Sequence, residues 1–234
     1  LKQNLLNRIG RRNDHTAVQS AHSIPTPRLG GVGIVMAVTV GILMLPTSAD
    51  GFNIVLLFSL LPVFLAGLLE DLGYEISPKG RFLAAVVSSC MLISAQGMWI
   101  TGVGVAGMDL LFVFAPLAIL ITLVWTSGMC HAFNLIDGVN GLAGATGIII
   151  ASGLAAISWM AGDIEMLALT GVVIFAIAGF QLHNWPRGRV FLGDSGAYSI
   201  GHLLVWIGIA VVHRNPSIAG ISVALLFFWP VADT

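Results

Sequence analysis

Apolar residues fall in eight stretches, at about 29–46, 52–69, 82–100, 109–128, 143–161, 166–182, 197–212 and 218–232. A helix that crosses a bilayer needs about 20 mostly apolar residues, within a range of roughly 17–25. The first and last stretches are the weakest spans. The pattern predicts an all-α, polytopic transmembrane helix bundle of about eight spans. Residues 1–28 read as a loop on one side, and residues 29–234 as the membrane core. Between the stretches lie polar segments of unequal character. Four of them stand out: "AHSIPTPRLGG" (21–31), "LLEDLGYEISPKGR" (68–81), "HAFNLIDGVNGLAG" (131–144) and "NWPRGRVFLGDSGAY" (184–198).

Composition strengthens the membrane reading. Hydrophobic residues make up 57% of the 234, charged residues 9%, and mean hydropathy is +0.95. A soluble domain carries roughly 25% charged residues, so lipid must be the solvent here. A formal net charge of −1 leaves no nucleic-acid footprint. Cys90 and Cys130 have no partner spacing and read as packing residues. The polar, basic N-terminus lacks a cleavable signal peptide, so the chain is expected to start within a cytoplasmic loop or after a lost first span.

Charge sets the orientation. Cytoplasmic loops are rich in Lys and Arg. Alternating the loops puts Lys2, Arg8, Arg11, Arg12, Arg28, Lys79, Arg81, Arg187 and Arg189 on one side and only Arg214 on the other. That first side is assigned to the cytoplasm. It also carries all four unusual segments.

Those segments hold the candidate chemistry. Glu70 and Asp71 directly follow an apolar run, Asp137 sits in "NLIDGVNGL", and Asp194 sits in "FLGDSGAY". Acids at span ends are functional candidates by default. Three acidic loops converging on one rim would offer hard oxygen ligands for Mg²⁺, with Mn²⁺ as the alternative. Gly138, Gly141, Gly144, Gly193 and Gly196 would let backbone approach a ligand and offer N–H groups to phosphate. Lys79, Arg81, Arg187 and Arg189 lie beside the same loops. No HExxH or CxxC spacing points to zinc. Acids, amides and cations on one rim describe a site that handles phosphate.

Plainer readings apply residue by residue. Rim Arg residues mark topology, and an Asp after a span often caps a helix. "GGVGIVMAVTVG" reads as close helix packing. Trp99, Trp159 and Trp185 read as interface anchors, and His202 as a satisfied bundle residue. His213 and Arg214, on the far side, receive no chemistry.

The motifs "FNLIDGVNGLAG", "VFLGDSGAYSIG", "LLEDLGYEISPKGR" and "HSIPTPRLGGVGI" resemble, in order and on one side, those of the polyprenyl-phosphate N-acetylhexosamine-1-phosphate transferases, glycosyltransferase family 4. "HNWPRGRVFLGDSG" is most similar to the branch that starts O-antigen and related surface polysaccharides. The resemblance implies that undecaprenyl phosphate attacks the β-phosphate of a UDP-N-acetyl sugar, releases UMP and requires Mg²⁺. It further implies roles. Glu70-Asp71 matches a catalytic acidic pair, one member of which is expected to act near the metal or to deprotonate the lipid phosphate. Asn134 and Asp137 match an Asn-x-x-Asp loop, and Asp194 matches the most direct metal ligand. Lys79, His22 and Arg28 match substrate contacts. Asp137 is expected to serve both catalysis and metal. Asn140 and Arg189 join the expected substrate contacts.

The family pattern has Asp where this chain has Glu70 and Asn140; with Asp71, Asp137 and Asp194 all kept, this is expected to mark a sub-branch with a different sugar, the alternative being weakened catalysis. Family members also continue past "WPVADT" into a loop with a His-rich motif, so these residues are expected to be the core of a longer enzyme. A second copy of the chain is a further candidate partner. The rival expectations are a transporter or lipid carrier, which would place its polar site near the midplane, and a catalytically silent scaffold of a polysaccharide assembly complex.

Overall fold

The computed structural model describes residues 26–46 and 50–234. Among these residues all regular structure is helical. The elements are α1 (Gly30–Met44), α2 (Phe52–Asp71), α3 (Pro78–Gln96), α4 (Ala115–Ile136), α5 (Leu142–Ala161), α6 (Ile164–Asn184) and α7 (Gly193–Arg214), then two short helices, α8 (Gly220–Ala224) and α9 (Phe228–Ala232). Five of them, α2, α4, α5, α6 and α7, are long and apolar enough to cross a membrane.

The eight apolar stretches all coincide with helical segments, but three depart from a simple span. The 109–128 stretch opens with a 3₁₀ turn, Met108–Phe112, and the helix proper starts at Ala115 behind Pro116. The final stretch breaks into α8, a 3₁₀ turn at Leu225–Phe227, and α9. Helix α1 has only 15 residues.

The centre of the bundle is α7. Every residue from Gly193 to Val211 is buried, and α2 and α4 flank it along most of their length, with α1 and α5 beside them. A helix apolar on all faces can be buried on all faces. Close approach near the rim depends on missing side chains. A Cβ on Gly67 would lie 2.5 Å from the Ser195 backbone nitrogen. One on Gly201 would lie 2.8 Å from the Cys130 Cα. Small residues at helix contacts are how bundles pack in lipid, where no hydrophobic drive joins helices.

Polar groups inside the bundle are mostly paired. Pro62 interrupts α2, and the neighbouring Val63 N–H donates to Ser88 Oγ of α3 at 3.1 Å, as a proline in a membrane helix requires. Ser89 and Thr126 pair at 2.8 Å between α3 and α4. His202 Nε2 pairs with Ser59 Oγ at 2.9 Å.

At the rim opposite the acidic motifs, Arg214 ends α7. Its guanidinium meets Asp50 at 2.5 Å and Glu165 at 2.9 Å, with Asp163 at 3.9 Å. It thus joins the α1–α2 and α5–α6 connections to the central helix. Asp50 and Glu165 are largely exposed, so solvent screens the network. Arg214→Ala is expected to cost about 1 kcal/mol, read as a fall of a few degrees in thermal midpoint that shrinks in high salt.

Candidate active site

The motif-bearing helix ends do share one rim, and hydrogen bonds show how they meet. Asp71, the last residue of α2, is 6% exposed. Its Oδ1 accepts the Asp194 N–H at 2.9 Å, and its Oδ2 accepts the Ser195 N–H at 2.9 Å and Oγ–H at 2.7 Å. A carboxylate at a helix N-terminus takes up N–H groups that have no intrahelical partner and meets the positive end of the dipole. Gly193, with φ +74°, makes room: a Cβ there would stand 2.6 Å from the Asp71 carboxylate. Asp71 therefore clamps α2 to the start of α7.

That clamp aims Asp194, 7% exposed, at α3. Arg81 Nη1 donates to Asp194 Oδ2 at 2.6 Å. Arg81 sits in the first turn of α3, which starts at Pro78 and is capped by Ser77 Oγ accepting the Gly80 N–H at 3.2 Å. Lys79, two residues earlier, is exposed. Residues i and i+2 of a helix point about 200° apart, so only one of the two can face the acids, and that one is Arg81.

Asp137 follows α4 directly and is half-buried. Burial raises its carboxyl from 3.8 to about 8; the nearby Arg28 opposes the shift, Asp194 and Asp71 add to it, and the Gly193 backbone N–H opposes it. The three acids are therefore neighbours. Arg28 comes from the segment before α1, which is pinned by the Phe191 N–H to the Pro27 carbonyl and by the Gly30 and Gly31 N–H groups to the Phe191 and Leu192 carbonyls, at 2.9–3.0 Å.

The turn at 137–141 is held from α6. Asn184 Oδ1 accepts the Gly141 N–H at 2.6 Å while its Nδ2 donates to the Val190 carbonyl at 2.8 Å. Gln181 Nε2 donates to the Gly141 carbonyl at 2.8 Å. Asn140 lies against Gly188, where a Cβ would meet its Nδ2 at 2.6 Å. The loop carrying Arg187 and Arg189 thus abuts the Asp137 turn, with both Arg residues exposed.

The expected site residues fall out as follows. Asp71, Asp137, Asp194 and Arg28 come together. Glu70 is half-buried, and its Oε2 accepts the Ile76 N–H at 2.8 Å, which shapes the α2–α3 loop. Asn134 is half-buried in the last turn of α4, one turn before Asp137. Lys79 and Arg189 are exposed on the same rim. His22 lies outside the described residues. Two expected loops are corrected. His131 and Asn134 belong to helix α4, because Phe133 and Ile136 carry its buried face on to residue 136. Asp194 and Gly196 belong to the first turn of α7, because Asp71 supplies the cap that lets the helix start at Gly193. The reading of the residues gave no specific role to Arg81, Ser195, Gln181 or Asn184. Their signal is tertiary, since each acts on a residue at least 40 positions away.

Asp137 yields a test by pH. Its native carboxyl keeps a proton that the unfolded chain loses above 3.8. Raising the pH from 3.8 to about 8 therefore favours unfolding, by up to about 1.4 kcal/mol per unit, and the penalty is constant above that window. Asp137→Asn should leave stability in EDTA unchanged near the acid end and raise it increasingly toward pH 8. Equal midpoint differences at both ends, by thermal unfolding in detergent, would contradict this.

Residues 53–212 match the model described as glycosyl transferase family 4. The chain belongs to that family, and its long apolar helices make it a multi-pass membrane protein. It is 26% identical over 222 residues to the probable undecaprenyl-phosphate N-acetylglucosaminyl 1-phosphate transferase of Bacillus subtilis (strain 168), covering 94% of this chain and 62% of that protein. It is 24% identical over 223 residues to the phospho-N-acetylmuramoyl-pentapeptide-transferase of Staphylococcus carnosus (strain TM300), covering 89% and 68%. It is 28% identical over 205 residues to the decaprenyl-phosphate N-acetylglucosaminephosphotransferase of Mycolicibacterium smegmatis (strain ATCC 700084 / mc(2)155), covering 80% and 50%. The chain spans half to about two thirds of the length of these relatives.

Proposed function

We propose that the full-length protein transfers an N-acetylhexosamine-1-phosphate from a UDP-sugar to undecaprenyl phosphate. It would do so at the cytoplasmic face of a bacterial inner membrane, as the first step of a cell-envelope polysaccharide such as O-antigen. The observation that carries this is the meeting of Asp71, Asp194, Asp137, Arg81 and Arg28 at one rim. There a lipid head group and a soluble nucleotide can reach the same groups.

The donor set can be tested against a divalent cation. Asp71 has both oxygens engaged in the helix clamp. Among the described residues no three His, Cys, Asp or Glu side chains are placed to hold a metal by themselves. What remains is Asp194 and Asp137, the latter with its charge suppressed by burial. One or two carboxylates completed by substrate phosphates suit Mg²⁺, with Mn²⁺ as the alternative, better than an all-protein cage does. Bound there, such an ion would neutralise charge on the diphosphate.

The chain's own residues do the rest. The Asp71 clamp fixes the direction of Asp194. Arg81, shared with Asp194, and Arg28, near Asp137, offer guanidinium groups to the phosphates. Asn134, Asn140, Lys79, Arg189 and His22 are assigned to the sugar nucleotide and the acceptor phosphate. In the reaction an acceptor phosphate oxygen bonds to the donor's β-phosphorus, the α–β anhydride bond breaks, and UMP leaves with the bridging oxygen. Positioning and charge neutralisation supply most of the catalysis in such transfers.

The test uses full-length protein, undecaprenyl phosphate, Mg²⁺ and a panel of UDP-N-acetyl sugars, with UMP release as the readout. Release from one sugar that stops with EDTA is the expected result. A folded protein that releases no UMP with any sugar would sink the reading.

A further inference from the structure

Gly141 is held at both of its backbone polar groups by one helix. Its N–H donates to Asn184 Oδ1 at 2.6 Å, and its carbonyl accepts Gln181 Nε2 at 2.8 Å. Gln181 and Asn184 stand three residues apart in the last turn of α6, so they are neighbours on one face. The Gly141 carbonyl also accepts the Ala145 N–H at 2.8 Å, which opens α5. A carbonyl has two lone pairs, and both are used here.

The Gln181 amide lies against two glycines. A Cβ on Gly144 would stand 2.2 Å from its Oε1, and one on Gly141 would stand 3.0 Å from its Nε2. The orientation of the amide is fixed, because only its NH₂ end can bond a carbonyl. Its Oε1 is consequently buried with no partner among the described residues. A buried unpaired oxygen costs at least what one hydrogen bond returns, so stability does not account for an amide at this place. An apolar side chain of the same size would give up the bond and the unpaired oxygen together. Position accounts for it.

What it positions is the turn of Asp137. Helix α4 ends at Ile136 and α5 starts at Leu142, with the Leu142 N–H on the Val139 carbonyl at 3.0 Å. Asp137 opens the connection between them and Gly141 closes it. Anchoring Gly141 to α6 therefore fixes the far end of the turn that carries Asp137. A displacement of about 1 Å at a reacting group can cost about 10²-fold in rate.

We propose that Gln181 is a positioning residue for the transfer: it holds the Gly141 carbonyl and, through the turn, keeps Asp137 in place. It acts on backbone and not on substrate. The inference rests on the catalytic reading above.

The experiment compares the full-length wild type with Gln181→Leu and Gly144→Ala, in detergent with Mg²⁺, undecaprenyl phosphate and a UDP-N-acetyl sugar. UMP release per folded protein gives kcat and KM. Hydrogen exchange by mass spectrometry follows the amides of residues 138–142. Gln181→Leu keeps the bulk of the side chain without its donor. It is expected to lower kcat about tenfold and to leave KM for undecaprenyl phosphate within about twofold. Exchange at 138–142 should speed up at an unchanged or higher thermal midpoint. Gly144→Ala, whose methyl displaces the amide, should match it, and in a Gln181→Ala background it should add nothing. Should Gln181→Leu not fold, the Gly144→Ala pair decides. Wild-type kcat in Gln181→Leu would overturn the proposal, and so would a loss of kcat that only tracks a lowered midpoint. A wild type that releases no UMP sinks the catalytic reading instead. Exchange at 138–142 then decides the hold itself, and wild-type rates in both variants overturn it.

Discussion

Replacing Asp71 with alanine is expected to cost about 3–5 kcal/mol of stability and to take the proposed transferase activity with it. The carboxylate accepts three hydrogen bonds from the first turn of α7, and the residue is 6% exposed. Removal leaves two buried N–H groups and a hydroxyl without their acceptor, each at roughly 1–3 kcal/mol. It also removes a negative charge from the positive end of the helix that every other long helix packs around or near. Asp71→Asn should fall between, since the amide keeps one acceptor but turns an NH₂ toward an N–H. Thermal unfolding in detergent beside UMP release reads both effects. Lost activity at an unchanged midpoint would mean that Asp71 acts on substrate and not as a clamp.

Asp194→Asn is expected to do the reverse. The side chain keeps its shape and its place on the clamped turn. Its ion pair with Arg81 is mostly buried, the side chains being 10% and 18% exposed, but the amide oxygen can still accept from Arg81, so the stability cost should stay at about 1–3 kcal/mol, below that of Asp71→Ala. The proposed transfer should slow about 10²–10³-fold or more, the scale seen when one electrostatic group is taken from a transition-state site. UMP release at wild-type rates would remove Asp194 from the chemistry and, with it, the proposed metal position. The two substitutions together separate the acid that clamps the helices from the acid proposed to act on the substrate.

That separation was not legible in the chain. Glu70, Asp71, Asp137 and Asp194 were legible as candidates, because an acid abutting an apolar run of about 20 residues costs too much to be incidental. Their common rim was legible too, since the basic residues alternate between loops so unevenly. Only the fold showed that Asp71 spends both oxygens on backbone N–H groups 123 and 124 residues away. Only the fold showed that Arg81 and not Lys79 meets Asp194. The choice turns on where α3 begins, and hence on Ser77 and Pro78. Asn184 and Gln181 look like ordinary polar residues at the end of an apolar helix until the 137–141 turn is seen resting on them.

By itself, then, the sequence determined the membrane as solvent, the helical class and the common rim of the motifs. Those follow from hydropathy and charge, which are properties of short windows and need no partner. Tertiary structure decided which polar atoms pair and where α4 ends and α7 starts. Those depend on helix ends whose free N–H and C=O groups are satisfied by residues distant in the chain, and no local pattern encodes that pairing.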